Sequence, residues 1–421
     1  MEIGAFIKLH RIEQGMTQEE LAKGIVSMSY LSKIENQRTT ASPEVIQLLC
    51  SRLGVQIETK VNENIQEKCN QWFQMLFEVH DKEEIIRLHD EIDTIIHKSH
   101  SSVTAMFEIH KIRYYLILEK YEQALEQINK LNEIASTFDH MHQFYWYKFN
   151  GNYQTVERNE HQAMRMYRLA EEKLNHIELP ETEIADLQYT IAVTHSKLRN
   201  TLNAIEYADK ALHTFMQQYN FIRCAECHII LGISYRRINM YDKAIKNYNL
   251  AKHLGELNKN TQIIQLANHN LGYLYSTKGN NHEAVSHYLE VVNDENVHLH
   301  ARLTAVTSLI KAYYSMKNME QTKEMIDVGF KLLEQIKHTK YYELHSYIIN
   351  TYYYAIQNDK EKFESIVSRA LIPYLKKHND YANIVVYARL LAEHFEKLTK
   401  YKDAVSYYKL ANDCYEKLVS L

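Results

Sequence analysis

A short pattern returns along this chain at nearly constant distance. Lys-Tyr-Glu-Gln-Ala at 120–124 recurs in kind as Asn-Glu-His-Gln-Ala (159–163), Asn-Thr-Leu-Asn-Ala (200–204), Met-Tyr-Asp-Lys-Ala (240–244), Asn-Asn-His-Glu-Ala (280–284) and Lys-Tyr-Lys-Asp-Ala (400–404). Degenerate copies put Thr322 and Lys362 in the alanine slot, and Asp81-Lys82-Glu83-Glu84 fits one period earlier. Successive anchors from Ala124 to Ala404 lie 39, 41, 40, 40, 38, 40 and 42 residues apart. A fixed period in this range predicts a solenoid: each unit cannot bury its apolar face alone, so neighbours stack into a continuous core. About nine units are expected, each two helices joined by a short turn, with the small residue letting the second helix approach the first. The length, 421 residues, agrees, because it exceeds what one ordinary core fills. Only 10 Gly and 3 Pro are present, so few turns are expected to need positive φ or a rigid φ. The 32 Tyr suit a thin stack, where many rings are buried while their hydroxyls stay wet.

Leu231-Gly232-Ile233-Ser234-Tyr235 before Ala244, and Leu271-Gly272-Tyr273-Leu274-Tyr275 before Ala284, place small and aromatic residues as tetratricopeptide repeats do. The resemblance is strong there and from Leu391 to Tyr408, and weak near 320–365. The usual tetratricopeptide unit has about 34 residues, so these helices are longer by roughly a turn and a half in total. Such a stack leaves a concave groove lined by the first helix of each pair, suited to extended peptides or partner helices.

The first sixty residues read differently. Ile3, Phe6, Ile7 and Ile12 form one helical stripe, ended by Gly15. Thr17-Gln18-Glu19-Glu20 is a capping box opening a second helix with Leu21 and Ala22 inward, closed by Gly24. Ser27 caps a third helix, Met28 to Asn36, with Leu31 and Ile34 inward. Ser42-Pro43-Glu44 opens an apolar fourth helix that Gly54 stops. Short helices with a tight turn between the second and third predict a helix-turn-helix. Seven Lys/Arg and seven Glu leave residues 1–60 neutral, a mild argument against nucleic-acid binding, and the whole chain at −4 carries no broad polyanion signal.

Met16 to Ala22, Ser29 to Asn36 and Leu53-Gly54-Val55 resemble the XRE/Cro family of DNA-binding domains over about residues 1–57. Gly24-Ile25-Val26-Ser27 departs from that family, being about one residue shorter than its usual turn, which bears on the angle of the third helix. The resemblance implies that the third helix enters the major groove, with Ser27, Met28, Ser29, Ser32 and Lys33 nearest base edges. Gln18, Asn36 and Arg38 would meet phosphates. Arg11 and Glu35 are expected to pair inside the domain, and Tyr30 to pack.

A Cro-type reader followed by about nine long repeats resembles the peptide-responsive regulators of Gram-positive bacteria, the Rap/Rgg/NprR/PlcR/PrgX family, and most closely its NprR branch. The resemblance implies an all-α chain: a reader at 1–57, a linker at 58–64, and at 65–421 a right-handed tetratricopeptide-like superhelical sensor. It also implies double-stranded DNA and a short signalling peptide as partners, a homodimer (a tetramer being the alternative), and transcriptional control in the cytoplasm. The family places an Asn fourteen positions before the Ala anchor to clamp peptide backbone, which is Asn270 here. A carboxamide can serve both groups of an unpaired peptide unit. Tyr273 follows on the same helix, and Arg113, Tyr235, Lys311 and Asn350 are further candidates.

Other signals count for little. Cys224-Ala225-Glu226-Cys227 has redox spacing but falls within a helix, and five scattered Cys give no disulfide framework. The 23 His form no metal signature, no glycine-rich phosphate loop occurs, and no catalytic constellation, metal or cofactor is implied. No transmembrane stretch or signal peptide is read. The competing reading, a Rap-like solenoid, would hold or dephosphorylate a response regulator, with Gln66, Gln71 or Gln74 placing the attacking water. A phage or plasmid communication receptor would share the same architecture.

Overall fold

In a computed structural model that describes residues 3–55, 63–77, 81–96, 103–339 and 341–419, every regular element is helical. Four short helices come first: α1 (Ile3–Glu13), α2 (Gln18–Ala22), α3 (Met28–Glu35) and α4 (Pro43–Arg52). Nine antiparallel pairs follow among the described residues: α5 (Glu63–Phe77) with α6 (Lys82–Ile96), α7 (Thr104–Ile117) with α8 (Tyr121–Asn132), and α9 (His140–Val156) with α10 (Glu160–Lys173). Next come α11 (Glu181–Lys197) with α12 (Thr201–Gln217), α13 (Phe221–Arg237) with α14 (Tyr241–Leu257), and α15 (Thr261–Thr277) with α16 (Asn281–Val292). The last are α17 (Leu299–Ser315) with α18 (Met319–Gln335), α19 (Tyr342–Ile356) with α20 (360–377), and α21 (Tyr381–Lys397) with α22 (Tyr401–Val419). This is the all-α plan of a helix-turn-helix followed by a repeat solenoid. The expected linker at 58–64 lies almost wholly outside the described residues.

The alanine slots explain the pairing. Ala124, Ala163, Ala204, Ala244, Ala284 and Thr322 are fully buried against the first helix of their own pair. In three pairs the first helix answers with glycine, sixteen residues before a buried tyrosine. A Cβ on Gly151, Gly232 or Gly272 would lie 2.4, 2.4 or 2.7 Å from the ring of Tyr167, Tyr248 or Tyr288, so only glycine admits that ring. In the pair between the first and second of these, Ala192 and Ala208 are both fully buried instead.

Lys362 does not fill an alanine slot: its side chain is 64% exposed, and the next residue, Phe363, points into the core. The N-cap of α20 is Asp359, and the slot four residues past a cap, which holds Thr322 after Asn318, falls on Phe363. Beyond that slot α20 is not regular. It runs as α-helix Lys360–Ser365, a π segment Ile366–Leu371 and α-helix Ile372–Lys377. Pro373 near the junction has no N–H to give the preceding turn, and a π segment absorbs such a break.

The turns also depart from expectation. Ten turns between repeat helices place a non-glycine residue at φ between 52° and 64°, from Glu119 through Lys317 to Thr399, whereas Gly279 supplies the glycine at another. Each lies just past a helix end. At Lys317 the amides of Lys317 and Asn318 reach back to Tyr314 O and Tyr313 O, both at 3.0 Å. This satisfies the last carbonyls by the left-handed cap. Positive φ is therefore used at almost every turn, by residues that carry a Cβ.

The contacts divide the chain into an N-terminal unit, residues 1–187, and a C-terminal unit, 188–421. Within the first, the helix-turn-helix has its own core around Phe6, Leu21, Leu31 and Leu49. It is also tied to the repeats. Leu9 of α1, fully buried, packs with Ile109, Ile128, Leu131 and Ile134 of the second pair and the segment after it. Lys8 Nζ donates to Glu133 O at 2.5 Å. Lys130 of α8 bridges Glu13 of α1 to the fully buried Glu108 of α7, 2.9 Å away. Glu108 is further held by Lys111 at 3.2 Å and Gln127 at 2.8 Å. In the second unit, Lys311 of α17 donates to Asn383 of α21 at 3.3 Å, so first helices two pairs apart meet.

Candidate nucleic-acid interface and inner-face site

The third helix, α3, is fixed from beneath by charge. Arg11 reaches Glu35 with two nitrogens, at 2.6 and 2.9 Å, while its third donates to Met16 O at 2.9 Å. Glu35 is fully buried, so this bidentate pair locks the C-terminal end of α3 to α1. Gln18 Nε2 joins the pair, donating to Glu35 at 2.7 Å. Its amide group therefore holds the domain together, and only its remaining oxygen faces outward chemistry. Capping is as the residues dictate: Thr17 and Glu20 form the reciprocal box on α2, Ser27 accepts from Tyr30 N, and Ser42 from Val45 N. Arg52 closes α2 from the far side, donating to Leu21 O at 2.9 Å and Lys23 O at 2.5 Å.

The outer face of α3 is open. Met28 is 56% exposed, an unusual state for methionine in a small domain, and Ser27, Ser29 and Lys33 are exposed beside it. Ser32 is half-buried, and Asn36 folds back onto Ser32 O at 2.8 Å, leaving its oxygen outward. Tyr30 packs against the domain core. Because Arg11 and Arg52 are consumed internally and Lys8 bonds a repeat carbonyl, the exposed cations of this domain near the face are Lys23, Lys33 and Arg38.

The second site lies on the first helices of the C-terminal unit. Asn270 and Asn350 each turn Nδ2 onto their own helix, to Leu266 O at 2.8 Å and Ser346 O at 2.9 Å, which presents the carbonyl oxygen outward. Tyr273 is 41% exposed. Tyr235 lies beneath the Lys243 ammonium at 5.3 Å. Lys311 stands over the Tyr387 ring at 5.3 Å, and burial pushes its ammonium down to about 8, against the pull of Asp380. Arg113 belongs to the other unit, where it donates to Leu76 O at 3.2 Å.

Two features escaped the sequence reading. Arg199, Arg236 and Arg237 cluster with Tyr273: the Arg236 guanidinium lies 4.5 Å from the Tyr273 ring centre. Burial and then the neighbouring guanidiniums push Arg237 down to about 10. The other is a cavity of about 410 Å³ between the starts of α15 and α17, walled by Leu266, Val291, Val297 and Ala301 with Gln265 and His269. Burial drives His269 down to about 4, so it is neutral, as is His345, also about 4, whose Nε2 lies 3.3 Å from His300 Nδ1. Residues 199, 236 and 273 are spaced by 37 each, about one helical turn short of the repeat period of about 40, so each falls roughly a turn earlier on the next first helix and no repeat anchor marks them.

The cysteine pair Cys224 and Cys227 is buried within α13, and burial raises both thiols, Cys224 to about 11. No helix among the described residues is long and apolar enough to cross a membrane.

Comparison with known proteins places these features. Residues 7–59 match the helix-turn-helix family model and residues 266–293 the tetratricopeptide repeat model. The chain is 34% identical over 379 residues to the transcriptional activator NprA of Geobacillus stearothermophilus, covering 88% of this chain and 93% of that one. It is 20% identical over 325 residues to response regulator aspartate phosphatase A of Bacillus subtilis, covering 74% of this chain and 85% of that one. The quorum sensor NprR from B. thuringiensis in its apo form superposes with a TM-score of 0.71 at 19% identity, over 85% of this chain and all of that one. NprR in complex with its cognate peptide NprX gives 0.62, also at 19%, over 85% and 99%. At that identity the last likenesses establish the fold.

Proposed function

Because the chain belongs to the family of the transcriptional activator NprA, in which a helix-turn-helix precedes tetratricopeptide-type repeats, we propose that it is a cytoplasmic transcriptional regulator switched by a short signalling peptide. Residues 1–57 act as the reader and residues 65–421 as the sensor. Met28, Ser29, Ser32 and Lys33 meet base edges and Arg38 meets a phosphate, whereas the Gln18 and Asn36 amides are turned inward onto Glu35 and Ser32. The observation that carries the reading is the exposed face of α3 held rigid by the buried Arg11–Glu35 pair, a stiff probe of the width that a major groove accepts. The peptide lies along the first helices of the C-terminal unit, its backbone served by Asn270, Asn350 and Lys311, its side chains by Tyr273 and Tyr235. That NprR has been solved in complex with its cognate peptide NprX supports a peptide as the ligand of this fold.

Peptide binding would favour one arrangement of the repeats, and the docked α1 carries that preference to the reader of a dimer. Fluorescence anisotropy against operator-length duplexes, across a salt series with and without peptide, tests it. Sequence-specific binding that weakens steeply with salt is expected; its absence under every ligand condition refutes the reading.

The similarity to response regulator aspartate phosphatase A favours a second activity, grip on a response regulator. Gln71 and Gln74 are exposed on α5 and Gln66 is half-buried there, bonded to Asn70. Loss of phosphate from a phosphorylated response regulator on adding this protein would support it.

A further inference from the structure

Arginines at helix ends usually cap carbonyls, and Arg237 does this, donating to Ser196 O at the end of α11. Arg199 and Arg236 do not. No carboxylate among the described residues pairs with either, and Arg236 Nε is buried without a hydrogen-bond partner. Burial, with Arg236 adding to it, pushes Arg199 below the usual guanidinium range against the opposing effects of Tyr273 and Asp380. Three cations gathered with no ion-paired carboxylate among the described residues, Asp380 acting on Arg199 only through space, cost stability, and such a cost is retained where an anion repays it. One side of the anion position is already furnished, because the Arg236 plane rests on the half-open Tyr273 ring.

Two turns back along α15 is the cavity of about 410 Å³, whose walls are mostly apolar and which also holds two buried unpartnered polar atoms, Gln265 Oε1 and His269 Nε2. That volume admits one large side chain with a donor to spare. From Leu266 at its mouth to Tyr273 is seven residues, about 10 Å of helix, and an extended peptide covers that in roughly three residues.

We propose that this site selects a peptide bearing a carboxylate about three residues from a large apolar side chain, the carboxylate between Arg199 and Arg236 and the apolar group in the cavity beside Leu266 and Ala301. The inference rests on the peptide reading and adds the ligand's chemistry. The carboxylate is a chain terminus or an Asp or Glu side chain.

Four synthetic hexapeptide pools test it, read by the thermal midpoint of the full chain. One has a free C-terminal acid and no Asp or Glu; one is amidated with Asp or Glu; one carries both carboxylates; one is amidated and carries neither. At least one acid-bearing pool should raise the midpoint and the neutral pool should not. Which acid-bearing pool does so names the source of the carboxylate. Arg236→Gln, and separately Arg199→Gln at a half-buried turn, should weaken the response at least tenfold in peptide concentration. Ala301→Phe should remove the preference for a large apolar residue. An equal response to the neutral pool overturns the anion site and leaves the peptide reading standing. No response to any pool overturns both. A response unchanged by either arginine substitution, in variants with wild-type helicity, overturns the assignment of Arg199 and Arg236.

Discussion

Removing the cation of Lys130 while keeping its bulk, Lys130→Met, tests how firmly the helix-turn-helix is seated on the repeats. The Lys130 side chain is 17% exposed and bridges Glu13, 19% exposed, to Glu108, which is fully buried. Burial opposes the charge on Lys130, but Glu108 and Glu13 outweigh it and raise its ammonium above the usual range. Breaking an isolated buried pair costs about 3–5 kcal/mol, most of it for the charge left behind. Here Glu108 keeps Lys111 and Gln127. The cost should therefore fall below that range, about 2 kcal/mol, which lowers the midpoint of a unit this size by roughly 4–8 °C. The double variant Lys130→Met with Glu108→Gln removes the buried carboxylate that the single variant strands, while Lys111 keeps Asp93 at 3.5 Å and Glu13 keeps His10 at 2.7 Å, and should recover at least half of the loss. Calorimetry of the four proteins of the cycle gives the coupling. A single-variant cost under about 0.5 kcal/mol, or a double variant no better than the single, would refute the view that this bridge seats the reader.

Lys317→Gly should stabilise the protein by about 0.5–1 kcal/mol, since relief of left-handed strain outweighs the extra freedom of the unfolded chain; urea unfolding checks the sign. Gly232→Ala should destabilise by about 1–3 kcal/mol, because its Cβ would meet the buried Tyr248 ring at 2.4 Å; Tyr248→Phe should not rescue it, whereas Tyr248→Ala should in part. Acid should weaken the C-terminal unit. Burial holds His269 and His345 at about 4 against a usual value near 6.5, so the unfolded chain takes up these protons first. Their contribution is intact above pH 6.5 and is lost as pH falls from 6.5 towards 4, at up to about 1.4 kcal/mol per pH unit for each. Urea midpoints across that window should flatten in a His269→Gln, His345→Gln variant. Arg38→Ala should weaken every duplex alike and lower the salt slope by about one unit, whereas Ser29→Ala should alter sequence preference.

The caps were legible because their chemistry is local. Thr17, Glu20, Ser27, Ser42 and the glycines at 15, 24 and 54 act on residues three or four away, and all stand where their spacing puts them. The alanine anchors were legible for the same reason, repeated. Lys362 misled because the period varies by a residue or two between units, and the cap at Asp359 sets the slot one residue further on, at Phe363. The positive φ values at the turns were invisible because glycine is their usual marker, and here Lys, Arg, Asn, Glu, Tyr and Thr accept the strain. Gln18 looked like a phosphate ligand because its position says so; the carboxylate it bonds instead is seventeen residues on. Arg199 and Arg236 carry no signal singly. Their meaning comes from tertiary proximity, which arginine placement does not encode.

The seating of Leu9 has a mechanical consequence. A reader on a flexible tether would average over orientations and feel nothing of what happens in the repeats. Here α1 shares a core with α7 and α8, so the recognition helix turns when that pair turns. Half-sites on DNA are about 34 Å apart, and a rotation of roughly 5° about one end of that span sweeps about 3 Å at the other, the difference between a hydrogen bond and none. In the proposed DNA-reading dimer a small angular strain would thus become a large linear error, and a lever of that ratio needs no large conformational change to move two readers in or out of step.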